Sequence, residues 1–187
     1  MMKINIENET GKLKAVVVGI ADDFGGTPKV EQCYDPKSRA HVIAGTFPSN
    51  EACVKEMNAL SEVFERYKVK VYRPQNIKGL NQIFSRDIAF AIEDKLVIPN
   101  IIEDRKEEAD AIATVMSEIA KEDIIKMPLS ARAEGGDVMP CNEYVFVGYS
   151  ENEDFEKYTV ARTNKAGLDF LATSFPNKIV KGFELNK

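Results

Sequence analysis

Val138-Met139-Pro140-Cys141-Asn142-Glu143-Tyr144-Val145-Phe146-Val147 is the stretch on which the fold turns. Two short runs rich in β-branched and aromatic residues flank Asn142-Glu143, which reads as a β-hairpin. Pro140 has no N–H to give a ladder, so the first strand is expected at an edge or a bulge. Downstream, a helix is expected from about Ala161 to Thr173, with Leu168, Leu171 and Ala172 on it. Ile179-Val180 then reads as a third strand. The unit is strand–strand–helix–strand.

The same order recurs upstream. Ile88 to Ile92 and Leu96 to Ile98 read as a hairpin turning at Glu93-Asp94-Lys95. A helix is expected next, with Ala109, Ile112, Ala113, Met116 and Ile119 on one face, then a strand at Ile124-Ile125. Further back, the turn signal Thr10-Gly11 leads into the apolar run Ala15-Val16-Val17-Val18, a buried strand closed by Gly19. Residues 21–48 read as a long irregular stretch of the kind that is usually functional or mobile. Ser49 offers an N-cap, and Cys53, Met57, Leu60 and Phe64 form one helical stripe ending near Tyr67. Val69 to Tyr72 alternates as a strand. From Val69 to Ile124 is 55 residues, and from Ile124 to Ile179 again 55. Evenly spaced elements of an ordinary α/β sandwich give the same interval. Read as repeats, such units bury their apolar faces against neighbours. Three of them leave a ring incomplete.

The chain has 187 residues, net charge −5, 44% apolar and 29% charged residues. Those are globular values, and they exclude disordered, collagen-like and coiled-coil architectures. No run is long enough to span a bilayer and no secretory signal is visible, so no membrane partner is expected. The acidic balance argues against nucleic acid. Cys33, Cys53 and Cys141 are odd in number and widely spaced, which reads as free, mostly buried thiols in a reducing, cytoplasmic compartment. One histidine, His41, and scattered cysteines offer no metal site.

Two segments carry the chemistry, each ahead of a hairpin: Phe84-Ser85-Arg86-Asp87 and Glu134-Gly135-Gly136-Asp137. If the repeats bring these entrances together, Asp87 and Glu134 converge and suit a planar cation, because carboxylate oxygens match a guanidinium fork. The glycine pair lets backbone approach a ligand closely. The same residues also read as an Asp87–Arg86 pair and a plain polar turn.

Glu134-Gly135-Gly136-Asp137-Val138, Tyr144 to Ser150, Ala161-Arg162-Thr163-Asn164 with Ala166-Gly167, Ser85-Arg86-Asp87-Ile88 and Gly11 to Gly19 together resemble the guanidino-group-modifying superfamily. Arginine deiminases, dimethylarginine dimethylaminohydrolases and glycine amidinotransferases belong to it. The resemblance runs from about residue 10 to 182. It implies a pentein-type α/β propeller, with about three of five units present and residues 1–187 as the N-terminal portion of one propeller domain. It also implies the chemistry. A cysteine thiolate attacks the guanidinium carbon and an amine or ammonia leaves. The covalent amidino group then goes to water (a hydrolase) or to an amine acceptor (a transferase).

The resemblance makes Asp87 and Glu134 catalytic carboxylates that hold a small guanidino substrate. Asp137 joins them in binding it, and Arg162 contacts the substrate carboxylate or is a helix N-terminal surface arginine. No cofactor is implied. The motif at Arg86-Asp87-Ile88 leans to amidinotransferases, with an arginine deiminase-type hydrolase or a non-catalytic guanidine-binding module as alternatives. The family's histidine and nucleophilic cysteine fall beyond Lys187, and His41 matches no motif. The chain is therefore expected to be part of a larger protein, inactive alone and prone to self-associate through the open ring.

Overall fold

The computed structural model describes residues 1–33, 35–151 and 162–185. They divide into two compact units, Leu13–Ser85 and Met1–Lys12 with Arg86–Lys187.

In Leu13–Ser85, β1 (Ala15–Val17) pairs in parallel with β2 (Lys70–Tyr72), Val16 opposite Val71. The run expected to be a buried strand is only half-buried in β1. The buried positions are Val18, Ile20 and Ala21 just beyond it. Gly19 lies so close to Ile83 that a Cβ would meet its carbonyl oxygen at 2.0 Å.

The expectation of an irregular 21–48 stretch is corrected by α1 (Pro36–Ile43). Asp35 accepts from the Ser38 N–H at 2.8 Å, and Pro36 takes the first helical position, where a missing N–H costs nothing. The helix buries no residue, so apolar periodicity could not disclose it. His41 lies exposed in its last turn, Nδ1 2.9 Å from Thr46 Oγ1. In α2 (Asn50–Arg66), Ser49 is the N-cap as expected, its Oγ accepting from Ala52 N–H at 3.2 Å. Cys53, Met57 and Phe64 are half-buried, whereas Leu60 is 44% exposed. Ser61 takes the buried place, its hydroxyl donating to Met57 O and accepting from Arg73.

The other unit holds two three-stranded sheets of one topology. After a single helical turn, α3 (Ser85–Ile88), β3 (Phe90–Ile92) and β4 (Lys95–Ile98) form an antiparallel hairpin. β5 (Ile124–Lys126) runs parallel to β4. Between them a single α-helix was expected. Instead Glu103–Ile112 winds as 3₁₀, and only Ala113–Met116, α4, is α-helical. The reason is visible in the burial. Ile102, Arg105, Glu108 and Ala111 are all buried at intervals of three, the period at which 3₁₀ side chains eclipse. Ile112, Val115 and Ile119 then resume helical spacing.

The second sheet repeats the order with β6 (Val138–Cys141), β7 (Tyr144–Tyr149) and β8 (Ile179–Glu184), β7 antiparallel to β6 and parallel to β8. Pro140 lies on the edge strand, as a residue without an N–H must. Asn142 takes φ 54° in the tight turn between β6 and β7. Both third strands begin where the 55-residue interval puts them, at Ile124 and Ile179. The helix expected from Ala161 is α5 (Lys165–Ser174); Ala161 itself lies outside the described residues. Phe90, Val97, Val145, Val147, Leu171 and Phe175 form the core of this unit. Residues 1–12 lie along it, with bridges from Met2 to Ile119, Ile6 to Glu93 and Asn8 to Cys141.

The thiols are not buried as expected. Cys141 is exposed, and Cys33 and Cys53 are half-buried. Strand phase explains Cys141: β6 turns Val138 and Pro140 inward and Met139 and Cys141 outward. Among the described residues no helix is long and apolar enough to cross a membrane.

Candidate functional site

The site is assembled within the second unit from four segments. Asp87 stands on α3. Arg105 and Glu108 stand on the 3₁₀ segment after β4. Glu134 precedes the short 3₁₀ turn Gly135–Asp137, and Arg162-Thr163 precede α5. The glycine pair explains how the first and third segments meet. A Cβ on Gly135 would lie 2.1 Å from Arg86 O, and one on Gly136 would lie 2.9 Å from Asp87 Oδ1. The close approach read from these glycines is thus to the Arg86-Asp87 segment. Arg86 completes the contact, donating from Nε to Gly135 O at 2.8 Å and from Nη2 to Val138 O at 2.6 Å. Its salt bridge is to Glu9. The Asp87–Arg86 pair open in the sequence does not form in this structure.

Asp87 and Glu134 converge on one guanidinium nitrogen. Arg105 Nη1 is 2.7 Å from Asp87 Oδ2 and 3.1 Å from Glu134 Oε2. The same guanidinium is gripped on its other edge by Glu108, with Nε–Oε1 at 2.8 Å and Nη2–Oε2 at 2.5 Å. That is the two-point fork that favours arginine over lysine. A second guanidinium reaches the same carboxylates. Arg162 Nη1 is 2.7 Å from Glu134 Oε2 and 3.8 Å from Asp87 Oδ2. The two arginines differ in exposure: 2% for the Arg105 side chain and 24% for Arg162.

Glu134 is 2% exposed, and its Oε1 has no hydrogen-bond partner among the described residues. Burial pushes its carboxyl above the usual range, further than the hydrogen bond and charge of Arg162 and the charge of Arg105 pull it down. Burial likewise raises Glu108, against the opposing pull of Arg105. For Arg105, burial acts against the charge, but Glu108, Asp87 and Glu134 outweigh it and the guanidinium is held still more firmly charged.

Asp137 is engaged by the protein's own donors. Its Oδ2 accepts from Arg162 N–H at 2.9 Å and from Thr163 Oγ1 at 3.0 Å, and its carboxyl too is raised by burial. Asn164 fixes the segment from the other side. Its Oδ1 accepts from Gly167 N–H at 2.8 Å, capping α5, and from Arg132 N–H at 2.9 Å. Arg162 therefore lies ahead of the helix, in a clamped segment.

All four site residues read from the sequence, Asp87, Glu134, Asp137 and Arg162, meet here. Arg105 and Glu108 were missed. They sit in a charged run that reads as a solvated face, and the only local signal was their i, i+3 spacing. Cys33, Cys53 and His41 belong to the other unit, and Cys141 lies on an edge strand, away from these hydrogen bonds. Among the described residues no group of histidine, cysteine, aspartate or glutamate is arranged to hold a metal ion.

No family model and no curated protein matches the sequence. Solved structures do. SxtG, an amidinotransferase from Microseira wollei in the saxitoxin biosynthetic pathway, is 17% identical at a TM-score of 0.70, covering 97% of this chain and 62% of that one. The inosamine-phosphate amidinotransferase StrB1 from Streptomyces griseus is 15% identical at 0.68, covering 96% and 62%. A mutant DDAH from Pseudomonas aeruginosa complexed with citrulline is 14% identical at 0.65, covering 94% and 62%. These are members of the guanidino-modifying pentein superfamily, and this chain has their α/β fold. It spans about 62% of their length.

Proposed function

We propose that this chain forms the guanidinium-binding part of a guanidino-modifying enzyme, amidinotransferase-like, acting on arginine or a related guanidino compound. The observation that carries the reading is the convergence of Asp87 and Glu134 on a single guanidinium nitrogen, that of Arg105. Two carboxylates aimed at one such nitrogen describe the geometry a guanidino substrate needs, and the buried Glu134 Oε1 leaves an acceptor for it. In this role Asp87 and Glu134 hold the cation and favour charge that develops on it. Asp137 acts on the ligand through the Arg162-Thr163 segment it clamps. Neighbours with this fold include amidinotransferases and an arginine dihydrolase, which supports the substrate class.

Residues 1–187 are, in this proposal, the N-terminal portion of one propeller domain of a cytoplasmic protein. Further strand–strand–helix–strand units supply the thiolate and the histidine. Those units also cover β8, an edge strand on which Ile179 and Phe183 are half exposed. Without them, that edge pairs copies of the chain. A second reading, a guanidine-binding module without catalysis, is favoured by one observation. None of the described cysteines or histidines joins the charged cluster.

Isothermal calorimetry with arginine tests the shared reading. Asp87→Asn and Glu134→Gln should each weaken binding by roughly 1–3 kcal/mol, the worth of a charge-assisted hydrogen bond. Unchanged affinity in both variants would remove the carboxylates from the role. Single-turnover assays on the protein extended beyond Lys187 separate enzyme from module: product formation supports the first, binding without turnover the second.

A further inference from the structure

The apolar core between the two sheets of the second unit attracts without direction, so it does not by itself hold two side chains at a fixed distance. Polar ties at both ends of the hairpins do. At the turns, residues 6–8 span both repeats. Ile6 and Glu93 exchange N–H···O bonds of 2.7 and 2.8 Å, Asn142 N–H donates to Glu7 O at 2.7 Å, and Asn8 Nδ2 donates to Asn142 Oδ1 at 2.7 Å. Glu93 and Asn142 are the corresponding turn residues, with φ 52° and 54°. Lys178, whose side chain is 5% exposed, joins these groups. It donates to Asn142 O at 2.7 Å and pairs with Glu7 and, at 3.7 Å, with Glu93. At the entrances, where Asp87 and Glu134 stand, the tie is Arg86. It belongs to the first of the two repeats, holds Gly135 O and Val138 O of the second, and pairs with Glu9, in the same segment that laces the turns.

We propose that Arg86 is a positioning residue: it sets the gap between Asp87 and Glu134 to the width of one guanidinium, and Glu9 holds it in place. This rests on the guanidinium-binding reading above. Arg86 adjoins Asp87 in the chain and Gly135 adjoins Glu134, so the bond from Arg86 Nε to Gly135 O, at 2.8 Å, fixes both carboxylates one residue away. A binding pair works only when held to within about 0.5 Å. A misplacement of about 1 Å can cost about a hundredfold in a reaction. The Arg86 and Glu9 side chains are 49% and 42% exposed, so their ion pair adds little to folding stability. What it controls is the distance between the carboxylates.

Calorimetry with arginine and carbon-detected NMR of the side-chain carboxyls compare the full wild-type chain with Arg86→Gln. The variant should bind arginine at least about tenfold more weakly. The Asp87 and Glu134 carboxyl resonances should move, while that of Asp123, paired with Lys95, stays. Arg86→Lys keeps the charge without the fork and should recover part of the affinity. Glu9→Gln should show the same changes at smaller amplitude, and it carries the test if Arg86→Gln does not fold. Unchanged arginine affinity in Arg86→Gln, or in Glu9→Gln where the first variant is unfolded, overturns the proposal and leaves the guanidinium site standing. So does weakened binding with the Asp87 and Glu134 resonances unmoved, or with Asp123 moved as far as they are, since that is general loosening. Failure of the wild type to bind arginine removes the guanidinium site, and this proposal with it.

Discussion

The sheets β3–β5 and β6–β8 place the same two kinds of residue at corresponding points. Each has a carboxylate just ahead of its hairpin, Asp87 in one and Glu134 in the other. Each has an arginine between its second and third strands, Arg105 in one and Arg162 in the other. Every arginine reaches the carboxylate of its own repeat and that of the other. The difference is in the support. The first sheet adds Glu108 and a row of buried positions around Arg105, whereas the second clamps the backbone of Arg162 through Asp137 and leaves its side chain partly in solvent. Equivalent places in two repeats thus hold one almost wholly buried cation and one partly exposed cation. Burial with a two-point partner, rather than position in the repeat, separates them.

That contrast is broken most directly by stability measurements. Arg105→Met leaves three carboxylates around a lost charge, and removing one partner of a buried ion pair costs about 3–5 kcal/mol. Arg162→Gln, at a partly exposed position whose partner Glu134 still keeps Arg105, should cost less. Urea denaturation followed by circular dichroism reads both. Equal losses would erase the distinction between the two arginines. Gly135→Ala comes next. Its Cβ would press on Arg86 O at 2.1 Å, an overpacked contact with backbone that should cost roughly 1–3 kcal/mol and weaken arginine binding as Asp87 and Glu134 are pushed apart. An unperturbed midpoint with full binding would mean that the two segments are not in contact.

The smallest effect is on pH. Burial raises the carboxyls of Glu108, Glu134 and Asp137 above their ordinary values of about 4.5, 4.5 and 3.8. The folded state therefore holds more protons than the unfolded one in the window above those values. Stability from these groups is fully present below the window and is lost as pH rises through it. Unfolding measured from pH 4.5 to 7 should show this component, reduced in Glu134→Gln. An identical profile in that variant would take Glu134 out of the effect.

Much of this was legible in the chain. Short β-branched runs at a regular interval located β5 and β8, and the acids ahead of two hairpins located Asp87 and Glu134. Ser49 and its stripe located α2. Other features depend on contacts distant in sequence. Arg105 and Glu108 look like part of a solvated run, since nothing local distinguishes a charge buried against Asp87 and Glu134 from one in water. The period-three burial that winds their segment as 3₁₀ is equally a product of what surrounds it. Cys141 was misjudged because a one-residue phase in β6 decides which face a thiol takes. Asp35-Pro36, by contrast, was a local helix start that an apolar pattern could not reveal.

A crystal structure of the chain with arginine bound tests the central claim most directly, that Asp87 and Glu134 form one guanidinium site. The account predicts the ligand's guanidinium within hydrogen-bond distance of both carboxylates, with Arg105 still forked on Glu108. Arginine bound elsewhere on the chain, or touching only one of the two carboxylates, would contradict it.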